Sequence, residues 1–152
     1  MTTKAPVLRG ARIAGTGSAV PDRILTNFDL EKMVDTSDEW IVERTGIRER
    51  RIASEDVVTS DLASQAALRA LDDAGMTAEE VDLIIVATVT PDTIFPSCAC
   101  WVQAKIGAKK AAAFDISAGC TGFVYAVSLA WGLVAQGAYD SILVVGAETL
   151  SR

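Results

Sequence analysis

The sequence contains no histidine among its 152 residues. Histidine is the usual general base beside a nucleophilic side chain, and it is also the commonest metal ligand in proteins. This chain alone therefore cannot form a Cys–His catalytic pair or a metal site that includes histidine.

Long apolar runs are missing as well, and none approaches the roughly 20 residues that a membrane-spanning helix needs. Lys4, Arg9 and Arg12 interrupt the amino terminus before an apolar signal-peptide core can form. Cysteine is scarce, and three cysteines without an export signal favour reduced thiols over a disulfide framework. We therefore expect a soluble, cytoplasmic protein that neither spans nor binds a membrane.

Positive charge is in the minority, since 14 Lys and Arg stand against 20 Asp and Glu and give a net charge of −6. Binding of nucleic acid needs a basic surface that neutralises phosphates, so this charge argues against nucleic acid as the main partner. The hydrophobic fraction of 50% and the length fit one globular domain with an apolar core.

Apolar patterning predicts that strands and helices alternate. Continuous apolar runs at residues 83–89 and 141–146 are typical of strands that are buried on both faces. Helices are predicted over residues 60–74, 98–106 and 123–135, and glycine stops the first two. We therefore predict an α/β fold in which a mostly parallel sheet is covered by helices.

The amino-terminal glycines do not form a nucleotide-binding fingerprint. Residues 11–17 are predicted to form a first strand that runs into a glycine turn. Val20 stands where a dinucleotide fingerprint has its third glycine, and Pro21 follows where the phosphate-binding helix would begin. We therefore exclude a dinucleotide site and predict a plain strand end.

Two helix starts follow in quick succession. Asn27 is predicted to cap a short helix that runs through Leu30 to Val34, with Asp29 and Glu31 in its first turn. Thr36 and Glu39 match a capping box, in which hydroxyl and carboxylate satisfy each other's backbone N–H groups. The helix that this box opens is predicted to end at Gly46.

Trp40 and Arg44 lie four residues apart in that helix and therefore share one face. An indole and a guanidinium so placed can hold a flat ring or a phosphate, which indicates a nucleotide clamp. Four guanidinium groups fall within eight residues and indicate an anion site: Arg44, Arg48, Arg50 and Arg51. Interleaved acids leave a solvated mixed-charge surface as an equally good explanation: Glu39, Glu43 and Glu49.

The three cysteines occupy different settings. Cys98 and Cys100 are two residues apart on a predicted helix, so they point to nearly opposite sides. No histidine is available to complete a metal site, and we predict that both are core thiols. Cys120 instead falls where a short apolar run, residues 111–114, gives way to a helix.

The setting of Cys120 is typical of a nucleophile. Unpaired N–H groups and the positive end of the helix dipole at a first helical turn help a thiol to lose its proton. Gly119 and Gly122 bracket the cysteine and allow a sharp turn with close approach of backbone to substrate. The alternative is a small cysteine packed at a tight turn, which is the commoner role of an isolated cysteine.

Three stretches together resemble the β-ketoacyl-acyl-carrier-protein synthase III family, the initiating condensing enzymes of type II fatty-acid synthesis within the thiolase superfamily. They are residues 27–50, residues 95–97 with the helix that follows, and residues 113–123. The resemblance spans nearly all of the chain. Thiolases and hydroxymethylglutaryl-CoA synthases are weaker alternatives, because neither shares the pattern of residues 36–50.

The resemblance implies roles for six residues. Cys120 corresponds to the acyl-accepting nucleophile, and its backbone N–H corresponds to an oxyanion-hole donor. Three residues correspond to the CoA contacts: Thr36, Trp40 and Arg44. Phe95 corresponds to a residue that reaches across a dimer interface toward the acyl pocket of the partner subunit, and Leu150 corresponds to a residue that lines the acyl pocket. The family resemblance implies acyl-CoA as substrate, with no cofactor and no metal.

The resemblance also implies partners and a missing part. An acyl group on Cys120 would condense with malonyl-acyl-carrier protein in a homodimeric enzyme. The family's catalytic His and Asn lie in a carboxyl-terminal half that these residues do not contain. Residues 1–152 are therefore expected to be most of the amino-terminal thiolase-like half of a longer enzyme. A free-standing half would leave sheet edges and an apolar face exposed.

Two other functions stay open at this point. A related enzyme of secondary metabolism could use the same acyl-cysteine with a different acceptor. A non-catalytic half-fold could instead pair with a partner chain, which fits the absence of the His and the Asn. A pure scaffold, however, does not need a glycine-flanked cysteine at a helix start together with a Trp/Arg face.

Overall fold

The computed structural model describes residues 8–151, which divide into two compact units. The smaller unit contains Val20–Val58 and the described residues from Thr149 onward. The sheet unit contains Thr59–Glu148 and the described residues up to Ala19. Among the described residues, no helix has both the length and the apolar character that crossing a bilayer requires.

The smaller unit is organised by a two-stranded antiparallel ladder of β1 (Arg23–Thr26) and β2 (Glu49–Ile52). Between these strands the chain forms α1 (Asn27–Glu31) and α2 (Asp38–Thr45). Only Ile41 of α2 is buried, and its other side chains are exposed or half-buried. Most of the surface of α2 is therefore accessible.

The predicted short helix is present as α1, but it ends at Glu31 and not at Val34, and Asn27 is not its cap. Thr26 is the cap of α1, since its hydroxyl accepts the N–H of Asp29 at 3.2 Å and donates to the Asp29 carboxylate at 2.6 Å. Asn27 is fully buried instead, and its amide group donates to Asp38 Oδ1 and to the carbonyl of Ile47, both at 2.8 Å. These tertiary contacts occupy the Asn27 side chain.

The start of α2 also differs by one residue from the prediction. Ser37, not Thr36, is the cap, because its hydroxyl accepts the N–H of Trp40 at 3.1 Å. The predicted end is confirmed, since Gly46 adopts φ of 71°, a left-handed conformation that glycine tolerates.

The sheet unit confirms the predicted parallel α/β arrangement. Its helices are α3 (Thr59–Ala74), α4 (Cys98–Ile106) and α5 (Gly122–Ala135), and they alternate with β3 (Leu83–Ala87), β4 (Ala112–Ile116) and β5 (Ile142–Gly146). The strand order is β4-β3-β5, and both pairings are parallel. The central strand β3 is buried along its whole length, as its uninterrupted apolar sequence requires.

The two faces of β3 pack against different helices. Ile84 and Val86 join the core made with α3 and α4, whereas Leu83, Ile85 and Ala87 join the core made with α5. This alternation follows from the period of two along a strand. The side of α5 away from the sheet carries exposed apolar side chains: Val124, Val127 and Trp131. β4 and β5 are the edge strands of this sheet among the described residues.

The predicted first strand at residues 11–17 was wrong, since the structure assigns no strand to these residues. They run along α3 instead. A Cβ atom built on Gly15 would lie 2.5 Å from the carbonyl oxygen of Ala70, and one on Gly17 would overlap the carbonyl of Ala66. The glycines therefore serve a close approach of backbone to helix rather than a turn after a strand.

Candidate active site

Cys120 lies at the carboxyl edge of the parallel sheet. β4 ends at Ile116, and a single 3₁₀ turn, Gly119–Thr121, leads directly into α5. Gly119 adopts φ of 55°, which a residue with a side chain rarely tolerates. The prediction that Cys120 stands between a strand and a helix is confirmed, and its side chain is exposed.

Close packing fixes the start of α5. A Cβ atom built on Gly122 would lie 3.3 Å from Cβ of Ala87, the last residue of β3. The turn that carries Cys120 is therefore seated on the end of the central strand. Catalytic groups of parallel α/β sheets commonly occupy this edge, beyond the carboxyl ends of the strands.

The other two thiols have different surroundings. Cys98 is fully buried, and burial raises the pKa of its thiol to about 12. Cys100 is half-buried, and its sulfur lies 3.3 Å from the hydroxyl of Ser97. The prediction of two core thiols is confirmed for Cys98, whereas Cys100 is only partly covered. Cys120 is thus the one exposed cysteine among the described residues.

The loop between β3 and α4 carries Phe95, whose side chain is 90% exposed. Two carboxylates that the sequence analysis did not single out hold this loop. Glu148 accepts the N–H of Val89 at 2.9 Å and the hydroxyl of Thr90 at 2.6 Å. Asp115 accepts two N–H groups at the start of α4. An acid in the otherwise apolar run of β4 was the available signal for Asp115.

In the smaller unit, Trp40 and Arg44 are in direct contact. The guanidinium carbon of Arg44 lies 4.8 Å from the centroid of the Trp40 ring, within the range of a cation–π interaction. The Trp40 side chain remains 54% exposed, so part of its surface is available to a ligand. Thr36 is half-buried beside the cap residue Ser37, and Leu150 in the same unit is exposed.

Two of the four arginines of the predicted anion site are hydrogen-bonded to other groups of this unit. Arg50 donates to the side-chain oxygen of Asn27, and Arg51 donates to Glu49 at 3.3 Å and to the carbonyl of Pro21 at 3.2 Å. These two therefore support the β1–β2 ladder, which favours the mixed-charge explanation for this part of the run. Within residues 8–151, no group of three or more Cys, Asp or Glu is arranged to hold a metal ion.

Comparison with known proteins places these features in a family. The model of the 3-oxoacyl-[acyl-carrier-protein] synthase III family matches residues 114–152. The β-ketoacyl-[acyl-carrier-protein] synthase III of Caldanaerobacter subterraneus subsp. tengcongensis is 63% identical over 142 residues, which make up 93% of this chain and 43% of that protein. The chain thus spans less than half the length of this curated relative.

Solved structures give the same result. The crystal structure of 3-oxoacyl-[acyl-carrier-protein] synthase III from Aquifex aeolicus is similar with a TM-score of 0.90 and 56% identity, over 93% of this chain and 46% of that one. The priming β-ketosynthase of the R1128 polyketide biosynthetic pathway is similar with a TM-score of 0.92 and 36% identity, over 99% of this chain and 45% of that one.

The parallel sheet, the cysteine turn and these structural matches define a chain with the thiolase-like α/β fold. Over the residues it spans, the chain belongs to the β-ketoacyl-[acyl-carrier-protein] synthase III family. The resemblance noted from residues 27–50, 95–97 and 113–123 is confirmed at the level of the family.

Proposed function

We propose that this chain supplies the nucleophile and the CoA clamp of a condensing acyltransferase. The exposed Cys120 at the strand-to-helix turn carries the proposal. Its thiolate attacks the thioester carbonyl of a short acyl-CoA, a new sulfur–acyl bond forms, and the CoA thiolate leaves and takes up a proton. The backbone N–H of Cys120 donates to the oxyanion that develops during this step.

Trp40 and Arg44 hold the adenine end of CoA, with Thr36 as a neighbouring contact. The stacked indole and guanidinium support this role, because they present a flat face and a fixed positive charge together. The clamp and the nucleophile come from different units of the chain. In this proposal Leu150 lines an acyl pocket, and Phe95 reaches across a dimer interface toward the acyl pocket of the partner subunit.

The condensation step needs groups beyond these residues. Malonyl-acyl-carrier protein is the proposed acceptor, and decarboxylation is assigned to a His and an Asn of a carboxyl-terminal half. The coverage of less than half of the relatives supports the proposal that this chain is the amino-terminal half of a longer enzyme. We further propose a cytoplasmic homodimer that uses acyl-CoA as substrate and no cofactor.

The test is acyl transfer in the full-length protein. Incubation with acetyl-CoA followed by intact-mass analysis is expected to show one acetyl group, which peptide mapping places on Cys120. Cys120→Ala should abolish the adduct, whereas Cys100→Ala, a change at a half-buried thiol, should retain it. Absence of the adduct in the wild type, or its survival in Cys120→Ala, would contradict the proposal.

A second candidate keeps the acyl-cysteine but changes the acceptor. The similarity to the R1128 priming β-ketosynthase, a protein of polyketide biosynthesis, favours this alternative. Condensation assays that compare malonyl carrier proteins of fatty-acid and polyketide pathways separate the two candidates. A clear preference for the polyketide carrier protein would favour the second.

A further inference from the structure

Asn27 is a polar side chain that is completely buried in the smaller unit, with 0% of its surface exposed. Both N–H groups of its amide donate hydrogen bonds at 2.8 Å, one to Asp38 Oδ1 and one to the carbonyl oxygen of Ile47. Its amide oxygen accepts a hydrogen bond from Arg50 on β2. The side chain therefore uses both donors and its acceptor on other groups of the protein, as a buried amide requires.

Two of these partners lie at opposite ends of α2. Asp38 is the first residue of α2, and Ile47 directly follows Gly46, the residue that ends the helix. The backbone N–H of Asn27 also donates to the carbonyl oxygen of Arg48 at 3.2 Å. One residue therefore attaches the start of α2, the segment after its end and the strand β2 to each other.

Trp40 and Arg44 lie between these two attachments, since Trp40 follows Asp38 and Arg44 precedes Ile47. The guanidinium carbon of Arg44 lies 4.8 Å from the centroid of the Trp40 ring, so the pair keeps this geometry only while α2 keeps its helical shape. Within α2, Ile41 alone is buried. The helix therefore depends on polar contacts at its ends more than a helix with a broad buried face does.

We infer that Asn27 is a positioning residue for the CoA clamp. It sets the affinity for the nucleotide end of acyl-CoA by holding both ends of the helix that carries Trp40 and Arg44. It does so without touching the ligand, because its side chain is completely buried. This inference rests on the proposed function, in which Trp40 and Arg44 bind the nucleotide of CoA. A residue that acts through the clamp can weaken binding by no more than the clamp contributes.

The test is Asn27→Asp in the full-length protein. The carboxylate has the shape of the amide but no N–H group, so the hydrogen bonds to Asp38 and to the carbonyl of Ile47 are both lost. We expect KM for acetyl-CoA to rise by roughly fivefold, and not beyond the roughly tenfold expected for Arg44→Ala, with kcat changed by less than about twofold. KM for acetyl-pantetheine, which lacks the nucleotide, should stay at the wild-type value.

Exchanging the two side chains provides a rescue. In the double variant Asn27→Asp, Asp38→Asn, the amide at position 38 can donate to the carboxylate at position 27, so one of the two hydrogen bonds returns. KM for acetyl-CoA should fall by roughly twofold relative to Asn27→Asp alone. The single variant Asp38→Asn keeps an acceptor oxygen for Asn27, so its KM should stay near the wild-type value.

Arg51→Lys is a matched control in the same unit. Arg51 donates to Glu49 at 3.3 Å and to the carbonyl of Pro21 at 3.2 Å, on and beside the β1–β2 ladder. Lysine keeps the charge but lacks the planar fork that makes both hydrogen bonds, so the thermal stability should fall. The ratio of KM for acetyl-CoA to KM for acetyl-pantetheine should not change in this variant.

A second variant keeps the test open if Asn27→Asp fails to fold. Asp38→Ala removes one of the two side-chain hydrogen bonds of Asn27 and keeps the bond from the backbone N–H of residue 38 to Glu31. It should raise the same KM ratio by roughly twofold.

The inference is overturned if the Asn27 and Asp38→Ala variants leave the KM ratio unchanged, or if Arg51→Lys raises it as much. It is also overturned if the effects of Asn27→Asp and Arg44→Ala add, because additive effects mean independent action. In the Arg44→Ala background, Asn27→Asp should change KM for acetyl-CoA by less than about twofold. Failure of Arg44→Ala itself to raise the ratio would instead refute the proposed clamp.

Discussion

Phe123 fills the space beside Gly146: a Cβ atom built on Gly146 would lie 3.1 Å from Cδ2 of the Phe123 ring. Gly146 is the last residue of β5, and Phe123 is the second residue of α5. Together with the contact between Gly122 and Ala87, this packing seats the start of α5 on the ends of two parallel strands. Because Gly122 and Gly146 have no side chain, the start of α5 can pack closely against the strand ends, and this packing places the turn that carries Cys120.

Gly146→Ala should disturb this seat. The added methyl group must push the Phe123 ring by a few tenths of an ångström, and we expect a loss of about 1–2 kcal/mol in the free energy of unfolding. The alkylation rate of Cys120 should also change by a few-fold, since the turn moves with α5. Urea unfolding and iodoacetamide labelling measure the two effects.

Gly132→Ala provides the matched control within α5. A Cβ atom at Gly132 meets nothing within 4 Å, so alanine should stabilise the helix by up to about 1 kcal/mol. The labelling rate of Cys120 should stay at the wild-type value. If both alanine variants destabilise the protein equally, the packing of Phe123 against Gly146 is not what holds the turn.

The thiols should separate by reactivity in the native protein. Cys98 is buried with a pKa of about 12, so at pH 8 its thiolate fraction is on the order of 10⁻⁴. We expect iodoacetamide to label Cys120 about 100-fold faster than Cys98. Peptide mapping after timed labelling measures the two rates. In urea the two rates should converge. Equal and slow labelling of both in the native state would favour a non-catalytic half-fold.

The regular elements of the sheet unit were predictable from local signals. β3 follows from an uninterrupted apolar run, and the end of α4 follows from Gly107, which adopts φ of 77°. These signals lie within a few residues of the structure they determine. The setting of Cys120 was predictable for the same reason, because the strand, the glycines and the helix are contiguous.

The errors arose where distant partners decide the outcome. Thr26 and Asn27 are comparable cap residues by propensity, and the burial of Asn27 against Asp38 and Ile47, 11 and 20 residues away, selects between them. The same holds for the site, since Asp115 bonds to Cys98 across 17 residues. No local pattern contains such pairs, so only the fold reveals them.

If Trp40 and Arg44 bind the nucleotide of CoA, a variant without the Arg44 guanidinium should lose affinity for substrates that carry this nucleotide and for no others. Arg44→Ala removes the guanidinium that lies over Trp40, and we expect KM for acetyl-CoA to rise by roughly tenfold with little change in kcat. Acetyl-pantetheine lacks the nucleotide, so its kinetics should not change. Steady-state assays with both substrates measure the difference in the full-length protein.

Two further variants sharpen the clamp experiment. Arg44→Lys keeps the charge but loses the planar stack, so its KM should lie between those of the wild type and Arg44→Ala. Arg48→Ala removes an exposed arginine four residues further along and should have a smaller effect. A similar rise in KM for acetyl-CoA and acetyl-pantetheine would contradict a role in binding the nucleotide.

The cap of α1 predicts a defined loss of stability in acid. Hydrogen bonds from the side chain and backbone of Thr26, with a smaller contribution from Lys32, lower the pKa of Asp29 from 3.8 to about 2. Because the folded pKa is below the unfolded one, the stabilisation is complete above about pH 4 and is lost as the pH falls through about 2. Asp29→Asn should therefore be less stable than the wild type at pH 6, and the gap between their urea midpoints should narrow as the pH approaches 2.

Thr26→Ala removes the side-chain donor to Asp29 and should raise the pKa of Asp29, so the stability of this variant should begin to fall at a higher pH. Thr26→Ser retains the hydroxyl and should follow the wild type. A constant gap between wild type and Asp29→Asn from pH 6 to pH 2 would show that this carboxylate does not stabilise α1 through its charge.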